Sequence, residues 1–248
     1  MRNLDNFDWG WMNSPVEKLI DGELVEITYF HIDGTEQSLS EFHKESLTRE
    51  IFEDRIYEKF FEVEEGDVVL DIGASLGPFT YSILHKNPKH VYCFEPSEKE
   101  FKVLAKNVMG GPVTPLFKGI SSKNSIVESG FLFGGESHME GITFQRFVNL
   151  YSIEKIDFLK TDCEGGEYDI FTEENFPFIK EKVRKISGEW HLGDPDMKEK
   201  FRNFRDHFLS RFDNYQIISV DGIDIKWDLW NESFINYYSE VIVYIDNR

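Results

Sequence analysis

From Asp67 onward the chain repeats one pattern, in which a short apolar run is followed by a turn and then by a stretch with helical spacing. Val68-Val69-Leu70-Asp71-Ile72-Gly73 is the first run, and Phe79 to His85 reads as the helix after it. Val91 to Phe94 and Thr114 to Phe117 are the next two strands, with a helix from Glu98 to Asn107 between them. Ile156 to Lys160 and Val183 to Glu189 follow, the first leading into a helix from Glu167. Asp194-Pro195 opens a further helix toward Phe212, because Asp accepts amide bonds at an N-cap and Pro suits the first helical position. Tyr215 to Val220 and Glu240 to Ile245 close the set without an evident helix between them. Strands that alternate with helices bury both faces of a parallel sheet. The expected fold class is therefore α/β: a Rossmann-like, mostly parallel seven-stranded sheet with an antiparallel edge hairpin.

Residues 1–55 depart from this pattern and read as an N-terminal extension to a domain spanning 56–248. Leu24 to Phe30 alternates as a strand, with Asp33-Gly34 as a turn. Ser46 to Phe61 carries Ile51, Phe52, Ile56, Tyr57, Phe60 and Phe61 at helical spacing. The stretch from Ile120 to Ile142, rich in Gly and Ser, reads as a long loop or hairpin, and loops of that length are usually functional or mobile.

Charge narrows the partners. Lys+Arg 27 against Asp+Glu 46 gives a formal net charge of -19, which repels phosphate backbones and argues against a nucleic-acid substrate. The short basic cluster from Lys180 to Lys185 reads as a solvated helix end. Two cysteines, Cys93 and Cys163, cannot build a disulfide framework and read as small core residues. No signal-peptide pattern opens the chain and no apolar run reaches membrane-spanning length, so a cytoplasmic compartment and no membrane span are expected. Oligomeric state is not legible.

Asp71-Ile72-Gly73-Ala74-Ser75-Leu76-Gly77 is a glycine turn between strand and helix, the position where a doubly wound sheet binds ligands. Ser75 stands where a dinucleotide fingerprint needs its second Gly, which weakens a nicotinamide or flavin reading. S-adenosylmethionine carries no phosphate; it needs an acceptor for its ammonium, donors for its carboxylate, and room. Asp71, Gly73, Ala74, Ser75 and Gly77 are therefore candidate cofactor residues. Glu95, followed by Pro96, ends the second strand about twenty residues on, where an acid meets ribose hydroxyls. Ser121, just past the third strand, joins the same candidate set. At the end of the fourth strand, Thr161-Asp162-Cys163-Glu164-Gly165-Gly166-Glu167 crowds carboxylates together. Such crowding raises at least one pKa unless a cation sits among them. Asp162 and Glu164 are candidates for cofactor contact, and Glu167 for capping the next helix.

These motifs resemble the FkbM family of methyltransferases: Val69 to Ala74, then Phe94-Glu95-Pro96, then Ile156 to Gly165. The similarity runs roughly from Ile56 to Glu189, and the third motif is the most specific. Cys163 and Gly166 replace the family's usual Val and Ala without removing a polar group. The resemblance implies the seven-stranded class I methyltransferase fold, with S-adenosylmethionine at the strand ends. It also implies O-methylation of a sugar, glycan or natural product. Residues 1–50 and the C-terminal aromatic stretch lie outside it.

Ser187-Gly188-Glu189-Trp190-His191 ends the fifth strand, with Glu189 and His191 on one face and Trp190 on the other. Asp162, His191 and Glu189 are the candidate catalytic residues, His191 as a general base for a hydroxyl. Asp162, Glu164, Glu189 and His191 could also hold a hard divalent ion. Trp227, Trp230, Phe234, Tyr237 and Tyr238 crowd the last connection and read as core packing. The alternatives to hydroxyl methylation are an N- or carboxylate-methyltransferase, or a catalytically silent Rossmann-like binding protein.

Overall fold

The structure, a computed structural model, describes residues 4–15, 17–20, 23–26, 28–30, 36–124, 126–130 and 136–248. Seven strands form the central sheet: β1 (Val68–Ile72), β2 (His90–Phe94), β3 (Val113–Leu116), β4 (Ile156–Thr161), β5 (Val183–His191), β6 (Tyr215–Ile218) and β7 (Glu240–Asp246). Their spatial order is 3-2-1-4-5-7-6. β7 runs antiparallel to both β5 and β6; the other neighbours pair in parallel. The order reverses between β1 and β4, so a crevice opens at their carboxyl ends.

The α-helices are α1 (Leu39–Leu47), α2 (Pro78–Ile83), α3 (Glu98–Asn107), α4 (Phe144–Leu150), α5 (Glu167–Ile170), α6 (Phe176–Lys182), α7 (Pro195–His207) and α8 (Glu232–Ile235), and Gly119–Ile120, Ile126–Gly130 and Glu136–Ile142 form a separate three-stranded sheet. Adjacent strand residues point to opposite faces, and the two faces carry two cores. Leu70, Ile72, Leu159, Ile186 and Trp190 pack with residues of α4, α6 and α7. Val69, Val91, Cys93 and Phe158 pack with α2, α3 and the N-terminal Phe7, Trp9 and Met12. Asp194 caps α7 as expected, its Oδ1 accepting from Met197 N at 2.8 Å.

The N-terminal region differs from its sequence reading. The predicted strand over Leu24 to Phe30 is two short pieces: 23–26 pairs with 17–20, and 28–30 with 36–38. The Asp33-Gly34 turn lies outside the described residues. The predicted helix over Ser46 to Phe61 is broken. α1 runs into one π-helical stretch, Thr48–Glu53, and Arg55 then adopts φ +51° before a 3-10 turn at Ile56–Glu58. Ion pairs from Arg55 and Lys86 to Glu58 hold this kink, so the apolar spacing serves two short pieces at different angles. Arg205 likewise anchors the connection between β6 and β7, donating to the Leu229 carbonyl and to Glu232.

Two further expectations are corrected. Lys185 belongs to β5 rather than to a solvated helix end; it is fully buried and donates to Asp67 and the Glu62 carbonyl. Trp227 and Tyr237 are 77% and 80% exposed, so they are not core residues. The side chain of Phe234 lies outside the description. β6 and β7 are antiparallel, and both the end of β6 and the start of β7 lie at the carboxyl edge of the parallel strands. Tyr237, just before β7, stands near that edge, whereas Trp227 does not: the connection folds back along β6, and Lys226 beside the Trp227 ring donates to the Tyr215 carbonyl at the start of β6, toward the opposite edge.

Candidate functional site

The floor of the site is an ion cluster that the sequence motifs do not announce. Asp71 is fully enclosed; Thr80 Oγ1 donates to its Oδ2 at 2.7 Å, and Lys160 Nζ lies 3.3 Å from its Oδ1. Lys160 also donates to the Gly73 carbonyl at 2.7 Å, and its ammonium sits 5.1 Å over the Tyr57 ring. Burial opposes the Lys160 charge, but Asp71 and Asp162 outweigh it and hold its pKa above the ordinary lysine value. Asp71 thus fixes the loop from below instead of presenting a carboxylate to its open side.

The glycine loop meets the end of β4 directly. A Cβ on Gly73, whose φ is +74°, would stand 1.7 Å from the Asp162 carbonyl oxygen. Only glycine permits that approach. Gly188 does the same from β5, where a Cβ would stand 2.2 Å from the Thr161 carbonyl oxygen. The two glycines let β1 and β5 close on the end of β4, which brings the cofactor loop beside Asp162.

Loop amides are already engaged. Those of Gly73 and Ala74 donate to the Phe94 carbonyl and that of Gly77 to the Ala74 carbonyl. Ser75, at φ +50°, donates its amide to Glu95 Oε2 at 2.8 Å, and Ser97 donates to Oε1 at 2.6 Å. Glu95 is 4% exposed, and burial with the nearby Glu100 pushes its pKa up to about 8. Pro96 carries the chain from Glu95 toward α3. Ser121 is buried, with its hydroxyl on the Lys123 carbonyl.

These acceptors fit the ribose hydroxyls and the ammonium of S-adenosylmethionine. Each Glu95 oxygen holds one backbone bond and keeps a lone pair for a ribose hydroxyl. Asp162 and Glu164 offer carboxylates to ammonium and sulfonium.

Beyond the loop stands a histidine among acids. Glu167, fully buried, accepts from Cys163 N at 2.7 Å and faces His191 Nδ1 at 3.2 Å through the same Oε1. Its Oε2 has no hydrogen-bond partner among the described residues. His191 Nε2 faces Glu189 at 3.4 Å, Glu164 at 3.5 Å and Asp162 at 4.0 Å. Burial lowers the His191 pKa, but the Glu167 bond and the charges of Glu167, Asp162 and Glu189 prevail and lift it to about 10. Burial raises the Glu189 carboxyl well above its usual range, with Asp162 adding to it. Glu164, lifted mainly by burial, holds φ +53°, strain that persists only where the surroundings impose it.

The three predicted catalytic residues, Asp162, Glu189 and His191, are therefore brought together. Sequence reasoning missed Tyr57 and Lys160. Tyr57 is buried and donates its hydroxyl to Asp162 Oδ2 at 2.8 Å. Its 3-10 turn is pinned by the Tyr244 hydroxyl, which donates to the Ile56 carbonyl. The only sequence signal was its place on an apolar stripe, which reads as packing.

The fold and this site define a class I S-adenosylmethionine-dependent methyltransferase. Residues 71–217, more than half of the chain, match the methyltransferase FkbM domain, and the chain belongs to that family. Curated proteins give no match. Solved structures with a similar fold include Aeropyrum pernix fibrillarin with bound S-adenosylmethionine, at 13% identity and TM-score 0.46, covering 93% of this chain and 87% of that one. A fibrillarin/Nop5p complex matches at 17% identity and TM-score 0.47, covering 93% and 96%. A Streptococcus mutans methyltransferase candidate with S-adenosylhomocysteine matches at 11% and 0.42, covering 74% and 90%. No helix among the described residues is long and apolar enough to cross a membrane.

Proposed function

We infer that the chain methylates a hydroxyl group on a small molecule, sugar or glycan. The observation that carries this reading is the double contact of Asp162. Its backbone carbonyl abuts the cofactor loop at Gly73, while its carboxylate faces His191 and accepts from Tyr57. Cofactor loop and proton-handling groups thus meet at one residue. Gly73, Ala74, Ser75, Gly77, Glu95, Pro96, Ser121, Asp162 and Glu164 line the cofactor side in this reading, and Asp71 acts through Lys160. Bound S-adenosylmethionine supplies an electrophilic methyl on a sulfonium.

Asp162, Glu189 and His191 orient the acceptor and handle its proton. The acceptor O–H bond breaks toward a strand-end carboxylate as its oxygen bonds the methyl carbon; the C–S electron pair leaves with sulfur, giving S-adenosylhomocysteine. Exposed Tyr237, just before β7 at the same edge, offers a face on which a sugar ring stacks. The net charge of -19 and the acidic site speak against a nucleic-acid acceptor. The N-terminal segment at Asp8 braces the domain: Asn107 links the Asp8 backbone to the Leu76 carbonyl beside the cofactor loop.

The test is incubation with methyl-labelled S-adenosylmethionine and paired hydroxyl and amine acceptors, with product carbon shifts read by NMR. An O-methyl signal with equimolar S-adenosylhomocysteine supports the reading. N-methyl or ester product overturns the hydroxyl assignment, and turnover with no acceptor in a broad panel of both kinds favours a silent binding protein.

A further inference from the structure

The arrangement around His191 is unlike a closed salt bridge. An imidazolium paired with a carboxylate draws the two heavy atoms to about 2.7–2.9 Å. Here Nε2 makes no hydrogen bond with any described residue, and its carboxylate neighbours stand at 3.4, 3.5 and 4.0 Å. Yet the residue is only 9% exposed. The ring thus turns Nε2 toward three carboxylates at loose ion-pair distances, with none of them drawn into a short hydrogen bond.

The other ring nitrogen is fixed. Fully buried Glu167 faces Nδ1 at 3.2 Å and is itself held by the Cys163 amide. A carboxylate behind one imidazole nitrogen is how proteins aim the other at a metal. Two ligand atoms about 2.1 Å from one ion stand roughly 3.0–3.4 Å apart; the Glu189 contact with Nε2 at 3.4 Å meets this, and the Asp162 contact at 4.0 Å lies beyond it. Donor atoms of Asp162, Glu189 and His191 all lie within 4.8 Å of one another, a set that a small inward movement closes around an ion. Asp162 and Glu164 are partly exposed, so an ion has an entry path.

We propose that Asp162, Glu189 and His191 form a divalent-cation site, with Glu167 as the positioning carboxylate. One imidazole among carboxylates suits Mn2+ or Zn2+ better than Ca2+. The ion takes the lone pair of His191 Nε2, and any proton there leaves to solvent. Its role rests on the methyl-transfer reading: an open coordination position beside the cofactor loop takes the acceptor hydroxyl and makes it more acidic.

The experiment uses Mn2+ alone, added to the full chain stripped with chelator, with free Mn2+ followed by electron paramagnetic resonance. One saturable site per chain is expected. Asp162→Asn, Glu189→Gln and His191→Ala should each weaken it about tenfold or more, and Glu167→Gln about tenfold through His191. Glu240→Gln, which removes a nearby charge but no proposed donor, should change it less than about threefold. Thermal melts confirm that each variant is folded; should His191→Ala fail to fold, His191→Gln replaces it. No saturable site for Mn2+ or Zn2+ at millimolar concentration, or equal weakening by Glu240→Gln, overturns the proposal. Parallel titration with S-adenosylhomocysteine separates the two claims. Cofactor binding without metal binding sinks the ion site alone, and metal binding without cofactor binding sinks the methyl-transfer reading alone.

Discussion

Tyr57 shows how one side chain ties the N-terminal region to the chemistry. Its hydroxyl holds Asp162 while its ring lies under the Lys160 ammonium. Tyr57→Phe keeps the ring and loses only the bond, so stability should fall by about 1 kcal/mol. Turnover should fall more than acceptor KM changes, because the carboxylate loses its orientation; equal kcat in variant and wild type would assign Tyr57 to packing alone. Glu95 makes a second residue-scale prediction. Its folded pKa, about 8, lies above the ordinary value of 4.5, raised by burial and Glu100 against the pull of Lys160 and the Ser75 and Ser97 amides. A raised carboxyl contributes stability that is complete below the ordinary pKa and is lost as pH climbs through the folded one. Melting temperature should therefore decline between pH 5 and pH 8 through this group, as denaturation scans would show, and Glu95→Gln should flatten that part of the profile. An identical slope in the variant would contradict the assignment.

At the scale of elements, the sheet was legible because parallel strands buried on both faces leave short, mostly apolar runs, such as Val68 to Ile72 and Ile156 to Leu159. The glycine turn and Glu95 were legible because fixed spacing puts them at adjacent strand ends. Tyr57 was not, because the αL residue Arg55 and a contact spanning 105 residues set its position. Lys160 reads as a strand residue until Asp71 is seen beside it. The aromatic connection between β6 and β7 was misread because composition cannot tell a buried indole from one standing on a surface. That connection is held by Arg205, and Trp230 Nε1 donates to the Tyr215 hydroxyl, so its exposed members rest on a fixed support. Tyr237→Ala should then change stability by no more than about 0.5 kcal/mol, the range for exposed positions. It should raise acceptor KM several-fold while leaving S-adenosylhomocysteine affinity unchanged. An unaltered KM for the identified acceptor would remove Tyr237 from the acceptor surface.

For the whole molecule, charge and topology point the same way. An excess of 19 acidic charges and a crevice ringed by Asp162, Glu164, Glu189 and Glu240 favour cationic or neutral polar ligands over polyanions. RNA and DNA should show no retardation with the chain at about 50 mM salt, and a salt-sensitive complex there would contradict this. The central claim is the cofactor, and calorimetric titration with S-adenosylhomocysteine tests it most directly. One molecule should bind per chain, NAD should not bind, and Glu95→Ala should weaken binding by about 1–3 kcal/mol, the cost of leaving its hydrogen-bond partners unsatisfied. Binding of NAD with no binding of S-adenosylhomocysteine would contradict the account.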